Sequence, residues 1–274
     1  MEQFIDIMII ILKICKLMWA ILSGIEGNIV AYEAVLADIK RQRVKIEELY
    51  ILGDIVAANP DSEKVIRRIQ NPLPVELEPQ VCVGWWEEQC FALHGLGSTA
   101  EPTELIDRFL IQSLMGETPK TALYRFGKET AKLLWDSVSR ETVQWLRNCH
   151  FGFFELDCLL IHGSTVSVSD ELTPEIPPWQ MLDRLQRIQA NHLFCGRSGQ
   201  VFEYQLQAGS VNSSVMTLES KQPVQTITAP KRRVVGVGNV GRELGKATYT
   251  LYSPYSDRLE FKTVYYGSKK GFGN

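Results

Sequence analysis

The sequence predicts an α/β fold, and three observations carry that expectation. From Trp19 to Leu22 a short apolar run closes on Ser23-Gly24, the pattern of a buried parallel strand. Glu26-Gly27-Asn28 then turns the chain into a segment from Ile29 to Arg41, where Ile29, Tyr32, Val35, Leu36 and Ile39 recur at helical spacing. The same alternation of apolar run and amphipathic segment continues as far as Gly84, as successive βαβ units require. Turns at the carboxyl ends of such strands are where open α/β sheets place ligand sites.

At 274 residues the chain is long enough to bury a sizeable core, as one large domain or two small ones. Its 45% hydrophobic and 22% charged residues are those of an ordinary globular protein. A net charge of −3 gives no reason to expect a nucleic acid or other polyanionic partner. Cys15, Cys82, Cys90, Cys149, Cys158 and Cys195 form no Cys-x-x-Cys pair, which reads as reduced, buried thiols in a cytoplasmic setting. Residues 1–17 read as an apolar leader ahead of a main domain spanning 18–274. Asp6, Lys13 and Lys16 interrupt it, so the uninterrupted part falls short of the roughly 20 residues of a membrane helix. A peripheral leader is the favoured reading; a membrane-surface helix and a docking element are the alternatives.

Along the chain, Leu49 to Leu52 is a second apolar strand, stopping at Gly53-Asp54. Asp61 is placed to cap the next helix, whose inner face is Val65, Ile66 and Ile69. After a Pro-rich loop, Val81 to Gly84 is a third strand, ending at Trp85-Trp86-Glu87-Glu88. From about 100 to 150 the pattern is helical, with Leu105, Ile106, Phe109 and Leu110 as one stripe. Leu133, Leu134 and Trp135 lie in a second segment, and Val143, Trp145 and Leu146 in a third that starts near Ser139. Leu156 to Ile161 is a strand ending in His162-Gly163-Ser164, Trp179 to Gln189 a helix, and His192 to Cys195 a strand ending in Gly196-Arg197-Ser198-Gly199. From Val201 onward, short alternating runs with turn residues between them read as antiparallel strands. Parallel pairing would bring the five strand ends to one edge of one sheet.

Those five ends, in that order, resemble the motif set of the calcineurin-like metallophosphoesterases, in particular their small bacterial predicted-phosphodiesterase branch. The family writes Asp-x-His-Gly-Asn, Gly-Asp, Gly-Asn-His-Asp/Glu, His-Gly and Gly-His-x-His. This chain writes Gly24-Ile25-Glu26-Gly27-Asn28, Gly53-Asp54, Gly84-Trp85-Trp86-Glu87, His162-Gly163 and Gly196-Arg197-Ser198-Gly199. The resemblance extends over roughly residues 18–266. It implies a four-layer α/β/β/α sandwich with a helical insertion, and a site where two metal ions activate water and clamp a phosphate. At the positions the family uses for metal and acid, Asp54 and His162 keep the family's residue types. Gly24, Glu26, Trp85, Trp86, Arg197 and Gly199 do not.

The expected function is therefore a catalytically degenerate phosphoesterase, a binding or regulatory module for a protein or a small phosphorylated ligand. The alternative is a working phosphoesterase with one metal, manganese or magnesium, on Asp54, His162, Glu26 and Glu87. In the favoured case no metal is held, and the Arg197 guanidinium pairs with Asp54 or Glu26, because clustered carboxylates need a compensating cation. Other signals carry less. Gly236-x-Gly238-x-x-Gly241 matches a dinucleotide-binding pattern, but strand-like residues follow where that pattern needs a helix. It reads as a turn between strands. Lys231-Arg232-Arg233 reads as a solvated strand entry, and Ser164 as a turn hydroxyl.

Overall fold

In the computed structural model, which describes residues 17–94, 127–186, 190–206, 209–213, 225–229 and 232–267, strand β1 runs Leu17–Leu22 and helix α1 runs Ile29–Arg41. Asn28 starts the helix: its side-chain oxygen accepts the Ala31 N–H at 3.0 Å, satisfying one of the donors a helix start leaves open. Strand β2 (Lys45–Leu52) begins four residues before its apolar run because it pairs with β1 in parallel from Leu17↔Lys45 onward. Ladder hydrogen bonds are made by the backbone and ignore side-chain polarity.

Helix α2 (Ser62–Gln70) buries Val65, Ile66 and Ile69 as expected. Asp61 stands at its N-cap but makes no capping bond; its carboxylate takes Lys64 at 2.5 Å instead. Strand β3 is Pro79–Cys82, and helix α3 (Trp85–His94) opens directly on the tryptophan pair. The stripe around Leu105 to Leu110 lies outside the described residues. Helices α4 (Lys128–Asp136) and α5 (Arg140–Arg147) follow, the latter capped by Ser139, whose hydroxyl accepts the Thr142 N–H at 3.2 Å.

Strands β4 (Gly152–Glu155) and β5 (Cys158–Ile161) form a hairpin. The strand expected from Leu156 starts two residues later, since Leu156 and Asp157, at φ of 45° and 67°, make the turn. Helix α6 (Pro178–Gln186) precedes β6 (His192–Cys195), β7 (Val201–Leu206), β8 (Gly209–Ser213), β9 (Gln225–Ala229), β10 (Arg232–Val237), β11 (Lys246–Ser253) and β12 (Arg258–Tyr265). The late strands are not purely antiparallel: β10 runs antiparallel to β7 but parallel to β6.

Two mixed sheets result, ordered β12-β11-β1-β2-β3 and β4-β5-β6-β10-β7. Alternation along β1 and β2 sends side chains both ways. Trp19, Ile21, Tyr50 and Leu52 meet Leu160, Phe194, Val235 and Val237 between the sheets. Met18, Ala20, Leu22 and Ile51 pack outward under α1, α2, α3, α4 and α5. Ile161, Leu193 and Val234 pack under Met181 and Leu185 of α6. The layers are helix, sheet, sheet, helix. The five strand ends thus belong to two sheets rather than one, and they converge because the sheets face each other: a Cβ on Gly196 would lie 2.1 Å from the Ser23 hydroxyl.

One ion cluster fastens the helix layer. The Glu76 carboxylate, 7% exposed, accepts both Arg68 bonds at 2.8 and 2.7 Å, the Lys40 ammonium at 2.7 Å and the Leu73 N–H at 2.8 Å. Burial alone would raise its pKa; these partners overturn that and hold it at about 2, against an ordinary 4.5. A depressed carboxylate contributes stability that is present above the ordinary value and lost as pH falls through the folded one. Glu76→Gln is expected to cost about 1–3 kcal/mol at neutral pH and to flatten the acid limb between pH 4.5 and about 2, read by urea melts across that range. An unchanged acid limb would assign the acid sensitivity elsewhere.

Candidate functional site

The first two strand ends zip together. Gly24 N donates to Gly53 O at 3.1 Å, Glu26 N to Asp54 O at 2.9 Å and Gly27 N to Ile55 O at 2.8 Å. Asp54 sits at φ 52°, in the left-handed region that a non-glycine residue holds only when its surroundings impose it. What imposes it is Glu87. This fully buried carboxylate accepts the backbone N–H groups of Asp54, Ile55, Val56 and Gly84 at 2.8, 2.8, 3.0 and 2.8 Å. Burial and the Asp54 charge push the Glu87 carboxyl upward while the N–H donors hold it back.

Asp54 is fully buried, and both its oxygens are engaged. Oδ1 accepts the Trp86 N–H at 2.8 Å and Oδ2 accepts Nη2 of Arg242 at 2.9 Å. Arg242 also donates Nε to Glu26 Oε1 at 2.5 Å and Nη1 to the Arg197 carbonyl at 3.0 Å. Each guanidinium nitrogen therefore has a partner. His162, fully buried, places Nδ1 2.6 Å from the Leu52 carbonyl, so that nitrogen carries the proton. Its Nε2 lies 3.3 Å from Asp54 Oδ2 without forming a hydrogen bond. Burial would raise the Asp54 pKa, but His162, Arg242 and the Trp86 N–H outweigh it and hold the carboxyl well below the usual range. Glu26 moves the other way: burial raises it, and Arg242 only partly compensates.

Sequence reasoning missed Arg242. Its signal was the Gly236-x-Gly238-x-x-Gly241 run immediately before it, which leaves the end of β10 at Val237 and forms the turn that leads to β11. That turn lies against the first strand end: Val240 N donates to Ser23 O at 2.9 Å and Gly241 N to Gly24 O at 2.7 Å. A Cβ on Gly241 would stand 1.9 Å from the Ile25 carbonyl, so only glycine permits the approach. Asn239 then ties the turn to its neighbours, accepting Arg242 N at 3.2 Å and donating to Gly199 O at 2.9 Å.

The expected pairing of Arg197 with Asp54 is present but long, and the closer pairing, on both carboxylates, is made by Arg242. Arg197 stays 4.0 Å from Asp54 and lies over the Trp85 ring, 4.7 Å from its centroid. The chain places Arg242 on both carboxylates because its turn is bonded to the first strand end. Trp85 is buried and meets Trp86 edge-on at 4.9 Å. Ser164 is a turn hydroxyl, accepting Val166 N at 3.1 Å and donating to Asp170. The structure thus brings together Glu26, Asp54, His162, Arg197 and Arg242. Glu87 adjoins them through Asp54, yet both its oxygens face backbone amides.

These residues do not fit a two-metal centre. Among the described residues no group of three or more His, Cys, Asp or Glu side chains is arranged to hold a metal ion. Glu26 and Asp54 each give an oxygen to one guanidinium, and Glu87 gives both of its own to backbone.

No protein-family model matches the sequence, and no curated protein matches it. Solved structures do. The hypothetical protein PH1004 from Pyrococcus horikoshii OT3 superposes with a TM-score of 0.66 at 21% identity, over 92% of this chain and 89% of that one. A metallophosphoesterase from Sphaerobacter thermophilus superposes with a TM-score of 0.59 at 17% identity, over 92% of this chain and 89% of that one. The fold is accordingly the metallophosphoesterase-like α/β sandwich.

Proposed function

We propose that this chain is a catalytically degenerate metallophosphoesterase-fold protein, a binding or regulatory module whose partner is a protein or a small phosphorylated ligand. One observation carries the reading: the Arg242 guanidinium, bonded to both Glu26 and Asp54, supplies the positive charge that those carboxylates would otherwise draw from metal ions. Without metals the fold has no activated water and no phosphate clamp. Cys82, Cys90, Cys149, Cys158 and Cys195 are free thiols, which supports a reducing, cytoplasmic setting. No helix among the described residues is long and apolar enough to cross a membrane.

The buried, unbonded His162 Nε2 beside Asp54 favours a second reading, a phosphoesterase working with one divalent ion. One experiment separates the two. The purified full chain, incubated with manganese and desalted, is expected to hold far less than one metal per chain and to leave bis-p-nitrophenyl phosphate intact. Stoichiometric metal with turnover abolished by Asp54→Asn would establish the second reading.

A further inference from the structure

We infer that the apolar leader, residues 1–16, docks back onto its own domain and fills a pocket beside the start of β2. The pocket measures about 430 Å³ and is lined from the last turns of α1, the first half of β2 and the loop before β3. It lies at the opposite end of the parallel strands from the candidate site. Ile39, Val44, Ile46 and Leu77 line it and are only partly covered by the core they pack against. Val75, on the same lining, is 86% exposed.

Three observations name the occupant. The first is attachment. Strands β1 and β2 pair in register from Leu17↔Lys45 and Met18↔Ile46, and Val44 and Ile46, on either side of Lys45, both line the pocket. The leader therefore joins the domain beside the pocket itself. Its 16 residues span about 24 Å even when coiled into a helix, so reach does not limit it. The second is chemistry: Phe4 to Leu12 carries a single charged residue, Asp6, and so much apolar surface is stabilised by leaving water. The third is the state of the polar lining. The Lys40 ammonium meets Glu76 at 2.7 Å, and the Gln42 amide donates to Asp38 and to the Tyr249 hydroxyl at 2.9 and 3.1 Å. These side chains are spent within the chain, whereas a small-molecule site needs a few polar groups turned inward to orient its ligand. An apolar chain segment needs none.

The test is thermal melting of the full chain with and without Val75→Asp, in two leader backgrounds. With the native leader, Val75→Asp is expected to lower the melting temperature by about 5 °C or more, because the new carboxylate would be covered by apolar side chains. In a leader carrying Ile9→Ser, Ile10→Ser and Ile11→Ser, the same change is expected to cost less than about 2 °C, as at an ordinary surface position. Losses of similar size in both backgrounds overturn the docking, and so does a native-leader chain that tolerates Val75→Asp unchanged. Should Val75→Asp prove insoluble, Val75→Ser in the same two backgrounds decides by the same difference. The difference is expected to survive tenfold dilution of the protein. One that fades on dilution assigns the pocket to the leader of a second copy and overturns docking within one chain.

Discussion

Arg242→Ala is expected to lower the stability of the chain by about 3 kcal/mol, a drop in melting temperature of roughly 10 °C for a domain of this size. The side chain is 24% exposed, but its partner Asp54 is fully buried, and the loss is counted on that partner. With the guanidinium gone, the carboxylate keeps its burial and one N–H bond from Trp86 while losing its nearest cation. A double-mutant cycle isolates the effect. Asp54→Asn alone leaves Arg242 short of a partner, whereas the double variant removes both charges and is expected to recover part of the loss. A coupling of about 1.5–3 kcal/mol would follow. If the two substitutions add to within about 0.5 kcal/mol, Arg242 is a bystander and the degenerate reading loses its support.

Removing the Glu87 carboxylate is expected to do as much or more. Glu87→Ala strands the N–H groups of Asp54, Ile55, Val56 and Gly84 in a dry interior. Each unsatisfied donor carries a penalty of about 1–3 kcal/mol. Water entering the vacated space would relieve some of it, so a net loss of about 3–5 kcal/mol is expected. Glu87→Gln should fall short of rescue, because its NH₂ would point at two of those donors. The consequence reaches the site, since Asp54 holds its left-handed backbone through these bonds. Urea unfolding of Glu87→Ala measures the loss. A near-native midpoint would mean that water replaces the carboxylate well and that Asp54 is held by something else.

Much of the fold was readable from the chain. The helix from Ile29 to Arg41 and the strand from His192 to Cys195 match their expected limits, because burial of one helical face and a short apolar run are written in local composition. The extended start of β2 was not readable: Lys45 to Glu48 join the ladder only because β1 lies beside them. The hairpin turn at Leu156-Asp157 was hidden for a similar reason, since an apolar leucine at positive φ gives no local signal. At the site, Asp54, His162 and Glu26 were named from their places at strand ends, and they do meet. Glu87 was named with them as a ligand, and its oxygens are turned to backbone amides.

What the sequence alone determined is the set of strand ends and the residues standing on them, because strands, turns and helices follow from patterns a few residues long. What only the tertiary structure decided is which cation those residues face. Arg242 lies 188 residues from Asp54 along the chain, and two glycines and a turn bonded to the first strand end bring it in. Charge pairing depends on distance in space, and that distance exists only once the two sheets have closed on each other.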